Sequence, residues 1–264
     1  MRGRFGRRRA WTAAALLLLA LTLALGGVAS GERSQFGNVI VSLDGRISPL
    51  RLPRHRPAPV FVHVSGALRT ANGATLPRVS RIELRFAGPG TISSKGLPRC
   101  PMGRLRHTTH LGALAACRPA LVGHGTLRAQ VLVAKQPPFE VKAQLLAFNA
   151  RLHGRQALLL HGYASDPPTS AVIPFLVRHP GGRSRTVLEG TVPRGLGPWP
   201  HFARFALTFG RRYVYRGERR SFLSAKCPVP RRFSAGFLSV ARIAYTFVNG
   251  RRVGRDIVRS CRAR

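Results

Sequence analysis

Acidic side chains are what this chain lacks most: 8 Asp and Glu stand against 44 Lys and Arg, a formal net charge of +36. The eight are Glu32, Asp44, Glu83, Glu140, Asp166, Glu189, Glu218 and Asp256. Glycoside hydrolysis needs two carboxylates in one cleft, so a set this small leaves little to build on. Glu140 with Glu189 is one pair that could serve, with His161 as a further candidate. Glu83, in the alternating run RIELRF (81–86), reads instead as a solvent-facing partner for nearby arginines.

Lysine is nearly missing too, four against forty arginines. GC-rich codons explain arginine over lysine, but Asp and Glu also have GC-rich codons, so codon bias does not account for the missing acids. The positive excess points to an anionic partner: a phosphate-bearing wall polymer, a membrane surface or nucleic acid.

Familiar catalytic motifs are absent as well. There is no G-x-S-x-G elbow, and Ser224 and Lys226 are one residue short of S-x-x-K. VGHGTL (122–127) lacks the Lys-Ser/Thr of a phosphate-cradling loop and precedes a strand; its glycines read as a turn. None of the nine histidines stands beside an acid or serine at a recognised spacing. The sequence therefore predicts no catalytic residues and no cofactor.

Long apolar runs are absent except for one. Ala13–Leu25 is continuous, preceded by Arg2, Arg4, Arg7, Arg8 and Arg9 and followed by small residues up to Ser30. Residues 1–30 thus read as a signal peptide cut after Ala29 or Ser30, or as an N-terminal anchor if uncut. Removing those five arginines leaves 39 basic residues against 8 acids, a net charge of +31.

What remains is rich in short β-type runs. VIVSL (39–43) meets Asp44-Gly45, read as a turn. VFVHVSG (60–66), RIELRF, TLRAQVLVA (126–134), FEVKAQLLAF (139–148), QALLLHGYA (156–164) and AVIPFLVRH (171–179) follow. TVLEGTV (186–192), FARFALTF (202–209), RYVYRG (212–217), FLSVARIAYTF (237–247) and VGRDIVRSC (253–261) complete the series. Most alternate with period two and are separated by Pro, Gly or Asn. Asn249-Gly250 is a two-residue hairpin signal. The expected fold is all-β, with antiparallel immunoglobulin-like sandwich halves over 38–165 and 171–264, or one continuous domain, the seam falling at DPPTS (166–170).

Four cysteines in an exported chain read as disulfides. Neighbour pairing, Cys100 with Cys117 and Cys227 with Cys261, closes two compact loops. CPMGRLRHTTHLGALAAC (100–117) also spells C-x6-H-x2-H-x6-C, but zinc ligands usually arrive as closer pairs, so no metal is expected. Within it, Thr108 or Thr109 should cap a short helix from His110 to Cys117, with Leu111, Leu114 and Ala115 toward the core and His110 in solvent. His161, ending an apolar strand, reads as a hydrogen-bonded rim residue.

RRYVYRGERRSF (211–222) interleaves aromatics with Arg211, Arg212, Arg216, Arg219 and Arg220. These five are the candidate polyanion-binding residues. The pattern suits stacking on bases or sugars, or a β-hairpin with Tyr213 and Tyr215 on one face and arginines at its rim.

The order of KGLPRC (95–100), the paired threonines before ALAAC (113–117), LVGHG (121–125), AFN (147–149), LLLH (158–161) and YVYRGERRSFLSAKC (213–227), closing on Cys261, resembles a group of exported, disulfide-containing all-β proteins of high-GC Gram-positive bacteria. The resemblance implies a location outside the cytoplasm and supplies no catalytic residue. The expected protein is a non-catalytic structural or binding component of the cell envelope, with an envelope hydrolase or an extracellular nucleic-acid binder as alternatives.

Overall fold

The computed structural model describes residues 32–87, 89–133, 135–180, 184–193 and 200–264. The expected signal segment, residues 1–30, lies outside them. Glu32–Arg264 forms one compact unit.

The alternating runs become strands. The first group is β1 (Glu32–Phe36), β2 (Val39–Ser48), β3 (Arg51–Leu52), β4 (Ala58–Pro59), β5 (Phe61–Thr70), β6 (Val79–Ala87) and β7 (Gly90–Ile92). The single α-helix among the described residues, α1 (His110–Cys117), follows, flanked by the 3₁₀ turns Met102–Leu105 and Arg118–Ala120. Then come β8 (Leu121–Val131), β9 (Phe139–Leu152), β10 (Arg155–Ser165), β11 (Pro168–Arg178), β12 (Ser184–Thr191) and β13 (Pro200–Phe209). The last are β14 (Arg212–Tyr215), β15 (Glu218–Ser221), β16 (Leu223–Ala225), β17 (Ala235–Phe247) and β18 (Arg252–Ala263).

Among the described residues, thirteen strands make one sheet in the order β1-β2-β5-β13-β8-β9-β10-β11-β12-β6-β17-β18-β3. Every pairing is antiparallel except β18 with β3. The all-β class with one short helix between Cys100 and Cys117 is therefore what the chain adopts. Its architecture is one large curled sheet, accompanied by the small sheets β14-β15 and β4-β16-β7, rather than two immunoglobulin-like halves, which would face each other as separate layers. DPPTS forms no seam: Ser165 pairs with Pro168, so Asp166-Pro167 is the tip of the β10–β11 hairpin, between adjacent strands. The meander β8 to β12 hydrogen-bonds straight through that point.

The curl brings the two ends of the sheet together, with β18 beside β2 and β1. Asp44-Gly45, expected as a turn, runs inside β2 and forms this seam. A Cβ on Gly45 would sit 2.8 Å from Ile257 Cγ2 in β18, so the glycine permits close approach. Arg259 of β18 bridges Glu32 of β1 and Asp44 of β2 and donates through Nε to the Gly45 carbonyl at 2.6 Å. β1 itself forms in what reads as a polar lead-in. Closure of this kind hides the edges that an open sheet would leave for aggregation.

Alternation puts two different clusters on the two faces of the meander. Leu145, Ala147, Leu158, Leu160, Ile173 and Phe175 join the main core inside the curl. Leu146, Phe148, Ala150, Ala157 and Leu159 point the other way, under α1 and the Cys100–Cys117 loop. Burial on both faces explains why LLAF (145–148) and LLLH (158–161) read as continuous apolar runs.

Candidate polyanion groove

The chain's few acids are placed first, because they decide which arginines remain. Glu32 and Asp44 pair with Arg259, Glu83 with Arg85 and Arg252, and Glu140 with Arg128. Glu189 pairs with Arg81 and Arg178, Glu218 with Arg220, and Asp256 with Arg242. Seven of the eight acids are thus ion-paired. Burial pushes the Glu32, Asp44 and Glu83 carboxyls up, and hydrogen bonds and charge from their arginines more than offset it, holding all three below the usual range.

Glu140 and Glu189 do not share a cleft. Glu189 stands opposite Leu176, Leu176 opposite Ala157, and Ala157 opposite Ala150 in β9. Glu140 lies about ten residues along β9 from Ala150, roughly 33 Å at a strand's rise per residue. His161 is on the outer face beneath the disulfide loop, far from being a rim residue: it is fully buried. Its Nε2 lies 3.2 Å from both Thr108 Oγ1 and the Thr108 carbonyl. Burial lowers its pKa, with the neighbouring His110 adding to the effect against the opposing Thr108 carbonyl. A neutral histidine clasping Thr108 is a loop anchor.

Other residues grip the same loop. Asn149 Nδ2 donates to the Pro98 carbonyl at 2.8 Å, and Cys100 N donates to the Asn149 carbonyl at 2.8 Å. Cys100 and Cys117 are bridged, as are Cys227 and Cys261, with Cα separations of 5.5 and 5.9 Å. With its sulfurs joined, the C-x6-H-x2-H-x6-C pattern has no thiolate to offer a metal. Among the described residues no three His, Cys, Asp or Glu are grouped so as to hold one.

Thr109 caps α1 as expected, its Oγ1 accepting from Gly112 N at 3.1 Å. The buried face matches the expected one only at Leu114, which is half-buried against the outer cluster. Ala113 and Cys117 face the sheet, whereas Leu111 is 75% exposed and Ala115 is exposed. The bridge pulls Cys117 down onto β9, and only small side chains fit beneath a helix held so close. His110 is correspondingly half-buried rather than solvated.

The 211–222 stretch is the β14–β15 hairpin, turning at Arg216-Gly217, both with positive φ. That is the geometry of a tight two-residue turn. Alternation sends Tyr213 and Tyr215 inward and leaves Arg212, Val214 and Arg219 exposed, with Val214 directly opposite Arg219. Tyr213 donates to the Lys95 carbonyl at 2.7 Å. The Tyr215 ring lies where a Cβ on Gly96 would be, 2.2 Å from Cγ, so only glycine fits under it. Arg216 and Arg220 stand 5.4 and 5.8 Å from the same ring's centre. Both tyrosines are thus half-buried and held by contacts within the protein, Tyr213 through its hydroxyl and Tyr215 over Gly96.

The five candidate arginines separate by partner. Arg211 Nη1 donates to the carbonyls of Pro119 and Leu121 at 2.6 and 2.9 Å, so it ties down the end of the disulfide loop. Arg220 pairs with Glu218, and Arg216 packs on Tyr215. Arg212 and Arg219 have no carboxylate partner among the described residues. Arg212 rests over the Phe61 ring at 5.6 Å. Both line a groove of about 510 Å³ together with Arg220, Arg264, Tyr213, Val214, Pro49, Ala58 and Pro59. Arg264 and the Pro49–Pro59 wall were not foreseeable from the hairpin sequence, since strand pairing alone brings them there.

Comparison with family models, with curated proteins and with solved structures finds no match for this chain. The groove must be read from its own chemistry. It presents fixed positive charge on a rigid, proline-walled surface, next to an exposed valine.

Proposed function

We propose that this protein is an exported envelope component of the all-β group it resembles, and that it associates without catalysis with anionic polymers through the Arg212–Arg219 groove. The observation that carries the reading is the convergence of charge: of the many arginines that seven ion-paired acids leave without a carboxylate, Arg212 and Arg219 line one groove together with Arg264. Guanidinium groups bind phosphate with fixed, forked geometry, which suits a repeating phosphate chain. Two disulfides suit an oxidising compartment, and no helix among the described residues is long and apolar enough to cross a membrane. Tyr213 and Tyr215 are half-buried and held by contacts within the protein, which favours a non-nucleic polymer over nucleic acid, since base stacking needs freely exposed rings.

Competition between labelled inorganic polyphosphate and single-stranded DNA of matched total charge tests this choice. Comparable displacement by the two supports recognition of charge spacing alone. Displacement by DNA at a tenth or less of the polyphosphate concentration would assign the groove to nucleic acid.

A further inference from the structure

The outer face of the closing hairpin carries a feature that the groove does not use. Strand alternation sends Leu238 and Val240 of β17 into the core and turns Phe237 and Ser239 outward. An outward position on a sheet with one wet face is normally polar, yet Phe237 is 84% exposed. It stands opposite Ser260 of β18, and Ser239 stands opposite Val258. Phe237 and the exposed Val258 are therefore diagonal neighbours on that face. The two serines between them are small, so the ring stands clear.

A second exposed ring belongs to the same end of the hairpin. The loop 228–234 leads into β17 and carries Phe233, 50% exposed, with Arg232 over its ring at 5.5 Å. The Cys227–Cys261 bridge and a hydrogen bond from Ala263 N to the Ser234 carbonyl tie this loop to β18. Arg54 clamps it further, donating to the carbonyls of Pro230 and Phe233, each at 2.8 Å. A loop held so firmly loses little freedom on docking.

The unpaired charge around the two rings is of one sign. Arg51 and Arg262 stand opposite each other in β3 and β18, and Arg231 and Arg232 lie in the loop. All four are exposed and have no carboxylate partner among the described residues. The acids bordering the face, Asp256 and Glu32, are taken by Arg242 and Arg259. A protein partner would have to offer a matching pocket to rings that protrude. A bilayer admits them without one, and binding then grows with the apolar area buried and with attraction to anionic lipid.

We infer that the Phe233–Phe237 face docks on an anionic phospholipid bilayer: the two rings enter the headgroup boundary, and Arg51, Arg231, Arg232 and Arg262 pair with lipid phosphates. This surface shares no residue with the Arg212–Arg219 groove.

Residues 32–264, the compact unit that holds both disulfides, are the form to test, so that the apolar run at 13–25 contributes nothing. Co-sedimentation compares vesicles of phosphatidylcholine alone with vesicles of equimolar phosphatidylcholine and phosphatidylglycerol. The unaltered sequence is expected to bind the anionic vesicles at least about tenfold more tightly. Phe233→Ser/Phe237→Ser should weaken that binding about tenfold, because neither ring is then buried in lipid. The same variant should keep the wild-type melting temperature and bind polyphosphate within about twofold of wild type, which separates this outcome from that of the groove. Arg231→Gln/Arg232→Gln should weaken binding to anionic vesicles at roughly fivefold per arginine. Undiminished vesicle binding by the folded phenylalanine variant would overturn the inference, by assigning the attraction to the basic surface at large. So would a lipid-free dimer that the phenylalanine variant splits, since the rings would then serve a second copy of the chain.

Discussion

At the scale of single residues, arginine in this chain has three different jobs. Arg259 closes the sheet, Arg211 and Arg54 cap carbonyls of loops, and Arg212 and Arg219 face the groove. The sequence shows one cluster of five arginines; it does not show which are occupied, because the carbonyls that hold Arg211 lie about ninety positions earlier. Histidine behaves similarly. His161 and His201 are both buried, and burial lowers the pKa of each, against the opposing carbonyls of Thr108 and Leu76. An unfolded chain protonates these rings near 6.5, whereas the folded chain resists until lower pH. The unfolded state therefore binds more protons between those values, and stability must fall as pH drops below about 6.5. The paired carboxylates contribute little to that fall, since most of their loss comes below their unfolded values of 4.5 and 3.8. Thermal melts should show a declining midpoint from pH 7 to 5, and His161→Gln should flatten part of that decline. A midpoint constant over this range would refute the buried neutral histidines.

At the scale of elements, the strands were legible because alternation survives in any context, while glycine was misread wherever it served packing. VGHG reads as a turn, yet Gly123 and Gly125 lie inside β8. A Cβ on Gly125 would meet the Ala206 carbonyl oxygen at 2.0 Å, so β8 and β13 approach closely there. Nothing local distinguishes such a glycine from a turn glycine; the distinction belongs to the partner strand. Gly125→Ala should therefore cost about 1–3 kcal/mol, the usual penalty of overpacking, where an unconstrained strand glycine would gain from alanine. Chemical denaturation midpoints would show it, and a neutral or stabilising result would mean the strands can separate without cost. The helix was legible in its bounds and cap, but in its buried face only at Leu114. Eight residues give barely two turns of periodicity, and the bridge to Cys100, not hydrophobicity, decides which side goes down.

At the scale of the whole molecule, two properties emerge that no segment carries alone. One is closure: the last strand returns to the first two, and Asp44-Gly45 becomes a seam. The other is the distribution of charge. A net excess of this size could coat the surface evenly or converge on a site, and sequence cannot separate these because convergence depends on the fold. A cavity of about 110 Å³ inside the curl was likewise hidden, since its wall is written in the same Leu, Ile and Phe as any core. Only the small Gly162–Ala171 pair marks it, and that pair becomes visible only in register.

The claim that the groove, rather than general basicity, recognises a polyanion is tested most directly by salt-dependent binding of labelled polyphosphate. Wild type, Arg212→Gln/Arg219→Gln and a charge-matched control, Arg104→Gln/Arg106→Gln, should be compared by fluorescence anisotropy from 50 to 300 mM salt. Arg104 and Arg106 are exposed and lie off the groove. Removing one arginine–phosphate ion pair lowers the slope of log affinity against log salt by about one unit. The groove variant should therefore show a slope about two units shallower and an affinity at least tenfold weaker, with the control within about twofold of wild type. Equal losses in the two variants would contradict the account, and leave the arginines as a diffuse cationic coat.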